Sequence, residues 1–171
     1  MNPVVIQDYD PLWPQLFERL RTRLAVVLEG MADTIEHVGS TSVPGLAAKP
    51  IIDIDVLLTS SFDLPRAIAR LASIGYEHRG DLGIAGREAF RAPREESPHH
   101  LYVCPPGNIP YLEHISFRDY LRSHQRDAEA YAELKRTLAD KFRNDREAYN
   151  EAKGEFVRTI LRRAAESSGK G

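Results

Sequence analysis

The chain contains a single cysteine, Cys104, among its 171 residues, so no internal disulfide can form and a disulfide-stapled fold is excluded. It lacks any apolar run near the ~18 residues that a membrane-spanning helix requires. A dominant charge sign is also missing. Lys and Arg number 23 against 25 Asp and Glu, for a net charge of -2, which argues against a protein that coats nucleic acid. Any anion site must therefore be local. Met1 is followed by Pro3 and Asp8, without the basic-then-apolar order of a secretory signal, so a soluble, cytoplasmic protein is expected. Internal repeats and low-complexity segments are absent as well.

What is present is the composition of an ordinary globular protein, 42% hydrophobic and 28% charged. The length suits one domain with a substantial core, taken here as 1–166 with a flexible tail at 167–171. Leu16, Leu20, Leu24, Val27 and Leu28 recur at helical spacing and predict a first helix over 15–28, closed by Gly30. Tyr9 and Trp13 are placed to pin it. Strands are predicted at 34–38 and 51–58, a helix at 65–74, and short antiparallel strands between Gly80 and Val103. "CPPGNIP" reads as a loop because of its prolines. From Phe117 to Leu161 apolar residues keep helical spacing, with a break at Asn144-Asp145, so the last third is helical. The sum is an α/β (α+β) fold, a mixed sheet flanked by helices.

The densest chemistry lies in residues 35–58, "IEHVGSTSVPGLAAKPIIDIDVLL". In a strand from Ile51, Asp53 and Asp55 share one face while Ile52, Ile54 and Val56 share the other. The two carboxylates stand roughly 7 Å apart along the strand, and like charges in so apolar a run call for a cation or another partner. Mg²⁺ suits that demand, because it prefers carboxylate oxygens and keeps positions open for phosphate. The bland alternative is a solvated pair, or one bridged to Lys49 or a helix arginine. Just upstream, His37-Val38-Gly39-Ser40-Thr41-Ser42 follows a strand and offers a glycine for close backbone approach, with hydroxyls and amides as donors. That is a phosphate cradle in outline, or else an ordinary serine-rich turn.

Gly39-Ser40 followed by Asp53-Ile54-Asp55 resembles the signature of the DNA polymerase β-like nucleotidyltransferase superfamily. The longer string "HVGSTSVPGLAAKPIIDIDV" is similar to the GrpB family within it. So, in order, are "GYEHRGDLGIAGREAF", "HHLYVC", "HISFRDYLRSH", "YAELKRTLA" and "AYNEAKGEF". The resemblance covers nearly the whole chain. It implies a compact mixed-sheet fold in which the Gly-Ser turn faces the acid pair, with Gly39, Ser40 and Ser42 binding phosphate and Asp53 and Asp55 binding Mg²⁺. It also implies a third acid on a later strand, where this sequence has His100 in "HHLYV" instead. His100 is then a base, a ligand for a different metal, or the mark of a degraded site, and Glu88 and Glu113 are fallback acids.

Phosphates need basic side chains as well as a metal. Lys49, Arg87, Arg118, Lys135 and Lys153 fall within the family-like strings, although a solvated helix face is the commoner role for any one of them. Tyr102 and His114 could face a base or acceptor, or belong to the core. Two functions are expected from this pattern. One is a metal-dependent nucleotidyltransferase using a nucleoside triphosphate and an unidentified small-molecule or protein acceptor. The other is a catalytically weak or silent ligand-binding or adaptor module, like the GrpB-like extension of some dephospho-CoA kinases. Nucleic acid and membrane are not expected partners.

Overall fold

The structure is a computed structural model and describes residues 3–168. Helix α1, Trp13–Val27, carries Pro14 in its first turn, where a missing amide is tolerated. Its inner stripe of Trp13, Phe17, Leu20 and Leu24 is buried. Tyr9 meets Trp13 edge to face at 5.4 Å, so the two aromatics do anchor the helix start. The chain continues through β1 (Ala32–Val38), a short 3₁₀ turn (Ser40–Ser42), β2 (Ile52–Leu58), α2 (Leu64–Ser73), β3 (Glu77–His78), β4 (Glu88–Arg91) and β5 (His99–Cys104). Three helices follow: α3 (Ile109–Ser123), α4 (Gln125–Lys141) and α5 (Arg146–Ser168).

The five strands form one sheet in the order β1-β2-β5-β4-β3. Central β2 pairs antiparallel with β1 and parallel with β5, and β5–β4 and β4–β3 are antiparallel. The sheet is mixed, as the sequence pattern predicts. Ile52, Ile54 and Val56 join Leu101 and Val103 against α1 and α2 in the main core. Burying each such side chain stabilises the fold by about 1.5–3 kcal/mol. The opposite face, which carries the acids, is covered by the C-terminal helices. There a second cluster joins Val43, Leu46 and Ala47 to Leu121, Tyr131 and Ile160.

The first two helices and first two strands lie within one or two residues of their expected ends, β3 falls before the expected Gly80–Val103 range, and two further boundaries differ for a local reason. The loop "CPPGNIP" ends two residues early, because α3 begins at Ile109. Pro110 sits in the first helical turn, and the Asn108 side chain accepts the Tyr111 amide at 3.0 Å as the N-cap. The long helical periodicity also conceals a break at His124, whose ring stacks on Tyr120 at 3.8 Å and closes α3 before α4 starts. The break expected at Asn144-Asp145 is present between α4 and α5. Of the expected flexible tail, Ser167 and Ser168 continue α5, and 169–171 lie outside the described residues. Among the described residues, no helix is long and apolar enough to cross a membrane.

Candidate functional site

Strand register places the acids. Val38, the last residue of β1, lies opposite Asp53, so the turn that follows β1 is delivered directly beside that carboxylate. Gly39 has φ 70°, and a Cβ built there would stand 2.2 Å from Asp53 Oδ2. Only glycine combines that conformation with that approach. Asp53 and Asp55 project from the same strand face, as alternation requires, but their surroundings differ. Asp53 is partly exposed in a cleft, whereas Asp55 is 0% exposed.

Each acid is held by a histidine. His100 stands opposite Asp53 across the parallel β2–β5 pair and donates Nδ1–H to Asp53 Oδ1 at 2.7 Å. Its Nε2 then faces Arg146 Nη2 at 3.3 Å as an acceptor. His114, from the second turn of α3, donates Nδ1–H to Asp55 Oδ2 at 2.6 Å. Burial disfavours the His114 cation, but the hydrogen bond and charge of Asp55 outweigh it and the pKa is raised. Asp55 Oδ1 is buried without a hydrogen-bond partner among the described residues, and so is Arg87 Nε.

The cleft beside Asp53 has a volume of about 250 Å³. Ser40 and Thr41 form one wall, His100 and Tyr102 the floor from β5, and α4 and α5 the far side. Lys49, Lys135, Lys153 and Arg146 all line it. Burial, with mutual repulsion, lowers the pKa of Lys135 to about 7 and that of Lys49 to about 8, and Lys153 is lowered as well. Four basic side chains lining one cleft with a single partly exposed carboxylate make a site that lacks negative charge.

The expected site residues do not all converge. Gly39, Ser40, Lys49, Asp53, His100 and Lys135 come together at the cleft, and Asp55 lies buried behind it. Lys135 is only 2% exposed and also donates to the Ala47 carbonyl. Arg87 lies over the Tyr102 ring at 4.1 Å, behind the cleft floor. Ser42 turns away, because its hydroxyl donates to the Gly39 carbonyl at 2.6 Å and closes the 3₁₀ turn. Arg118 is also elsewhere: Glu36 and Asp119 pair with it, and it donates to the His37 carbonyl. Two carboxylates and a backbone carbonyl satisfy its guanidinium there. Of the fallback acids, Glu88 pairs with His78 and Glu113 is exposed on α3. No acid on β5 faces the pair; His100 and Tyr102 hold those positions.

Arg146, Tyr149 and Asn150 were not foreseen in the sequence. They lie in the first turns of α5, where only the preceding break gave any signal, and which face the helix presents depends on how it docks. Lys49 was a candidate bridge to the aspartates; its ammonium sits over the Tyr149 ring at 4.2 Å instead.

A mixed sheet presenting a Gly-Ser turn against paired acids defines a nucleotidyltransferase-like fold. A poly(U) polymerase, Cid1, shares it with a TM-score of 0.55 at 14% identity, over 79% of this chain and 44% of that one, a likeness of fold alone. The profile described as "GrpB protein" matches residues 3–163, and the chain belongs to the GrpB family. The crystal structure of GrpB from Enterococcus faecalis superimposes with a TM-score of 0.87 at 32% identity, covering 96% of this chain and 99% of that one. A UPF0157 protein of Halalkalibacterium halodurans is 38% identical over 162 residues, 94% of this chain and 82% of the relative. The chain spans less of other relatives, 65% of one from Pseudomonas aeruginosa and 44% of one from Bacillus subtilis. A protein named dephospho-CoA kinase in Mycolicibacterium paratuberculosis is 26% identical over 195 residues, and the match covers 48% of it.

Proposed function

We propose that the cleft binds a nucleoside triphosphate with Mg²⁺ and transfers its nucleotidyl group to an acceptor hydroxyl. The observation that carries this reading is the pairing of one partly exposed carboxylate, packed on Gly39, with four basic side chains lining the same cleft. Lys49, Lys135, Lys153 and Arg146 hold the phosphate chain, and the Gly39-Ser40 turn meets it beside Asp53. The acceptor oxygen attacks the α-phosphorus, the bond to the β-phosphate oxygen breaks, pyrophosphate leaves toward the lysines, and the acceptor's proton passes to water in the open cleft.

The residues fit a divalent cation that arrives with the nucleotide. Each acid has one oxygen tied to a histidine, and Asp55 Oδ1 is a buried acceptor without a partner. Among the described residues, no group of three or more His, Cys, Asp or Glu could hold a metal. Mg²⁺ commonly takes one or two carboxylates and completes its shell with water and substrate phosphates. Asp53 and Asp55 would hold it. When bound, it would neutralise charge developing on the phosphates.

A second reading has its own support. The position of the third acid is filled by His100, whose Nδ1–H is committed to Asp53, and the chain resembles part of a dephospho-CoA kinase. In that reading the cleft binds a phosphate-bearing ligand without turnover. Calorimetric titration of ATP, GTP, CTP and UTP, with and without Mg²⁺, into wild type, Asp53→Asn and Asp55→Asn tests the first reading. Mg²⁺-dependent binding lost in both folded variants is expected, and retained binding in both would overturn it. Pyrophosphate release on adding candidate acceptors separates the enzyme from the binding module.

A further inference from the structure

We infer that His114 is a positioning residue, which holds Asp55 by one oxygen so that the other stays free for a cation, and that His100 does the same for Asp53. The inference rests on the reading of this cleft as a Mg²⁺-nucleotide site. Two neighbouring carboxylates on one strand each receive a single Nδ1–H, at 2.7 and 2.6 Å. The two rings come from different elements, β5 and α3, so strand geometry alone does not produce the repetition. Tyr102 lies between them, with ring centroids 6.4 Å from His100 and 6.3 Å from His114, and Arg87 covers its ring.

A purely structural ion pair accounts poorly for Asp55. A carboxylate removed from water is stable when all its oxygens find donors, and an unmet buried acceptor costs about 1–3 kcal/mol. Asp55 is fully buried, yet Oδ1 has no donor among the described residues. The histidine thus fixes the carboxylate while leaving one oxygen unmet. Ligating carboxylates are commonly oriented by such outer hydrogen bonds, and their removal typically weakens metal affinity by about 10–100-fold.

The test compares wild type, His114→Leu and His114→Asn by calorimetric titration of a non-hydrolysable ATP analogue, with and without Mg²⁺. The asparagine amide can return an N–H near the position of Nδ1. His114→Leu should weaken the Mg²⁺-dependent component by about ten-fold or more, leave the Mg²⁺-free component in place, and be largely rescued by His114→Asn. Equal Mg²⁺ dependence in His114→Leu and wild type overturns the inference, as does a loss that asparagine fails to rescue. If His114→Leu does not fold, as judged by thermal unfolding, His100→Leu makes the same comparison at a partly exposed ring. Wild type that binds the analogue without Mg²⁺ dependence, or not at all, defeats the nucleotide reading itself, and the positioning role falls with it.

Discussion

Replacing Lys135 with methionine should make the protein more stable and its cleft worse at holding an anion. Lys135 is buried, and its pKa falls from 10.5 to about 7, first through desolvation and then through repulsion from Lys153, Arg136 and Lys49, with Asp53 opposing. In the unfolded chain the same amine keeps its proton to about pH 10.4. Unfolding therefore takes up a proton anywhere between those values. The destabilisation is fully present below pH 7, shrinks as pH rises and vanishes above the unfolded pKa. At about 1.4 kcal/mol for each tenfold change in proton affinity, its ceiling is about 5 kcal/mol. Methionine keeps most of the stem's packing but leaves the Ala47 carbonyl without its donor, a loss of about 1–3 kcal/mol. The net gain at pH 7 should be about 2 kcal/mol, and it should disappear or reverse near pH 10. Urea unfolding of both proteins at the two pH values measures this, and calorimetry with ATP follows the cleft. A Lys135→Met protein less stable than wild type at pH 7 would refute the argument that this amine is held in the cleft at the expense of the fold.

Gly39→Ala places a methyl group 2.2 Å from Asp53 Oδ2, at a positive φ; the variant should lose about 1–3 kcal/mol of stability and its Mg²⁺-dependent nucleotide binding, and normal binding would count against the turn's role. Because burial holds Lys135 near 7 and Lys49 near 8, an anion entering at pH 8 should raise both and draw protons in. Calorimetry in two buffers of different ionisation enthalpy should show net uptake, and release would contradict the assignment of these lysines to the anion. Asn108→Ala removes the cap of α3 and should lower stability by about 1 kcal/mol in chemical unfolding without changing ligand affinity, since Asn108 lies outside the cleft.

The local pattern alone determined the two strands that carry the site, the paired acids on one face and the glycine before the serine, whereas β3 at Glu77–His78 and the parallel pairing of β5 with β2 were not legible in it. Alternation with period two and helical spacing are properties of neighbouring residues, so Ile52, Ile54 and Val56 announce a core face and thereby place Asp53 and Asp55 opposite it. The C-terminal helices were legible for the same reason. Their ends were less so, because Pro110 in a first helical turn looks like the prolines of a loop, and His124 interrupts a periodicity that continues beyond it. Tertiary structure decided which charges meet. Arg118, Lys135 and Arg146 are alike in sequence, each a basic residue on an amphipathic helix. Packing gave Arg118 to Glu36, buried Lys135 beneath the cleft and set Arg146 against His100. A residue's helical face follows from its own segment. The element that face meets depends on the crossing of distant parts of the chain, and that crossing turned two isolated acids into a site with two histidines and four cations around it.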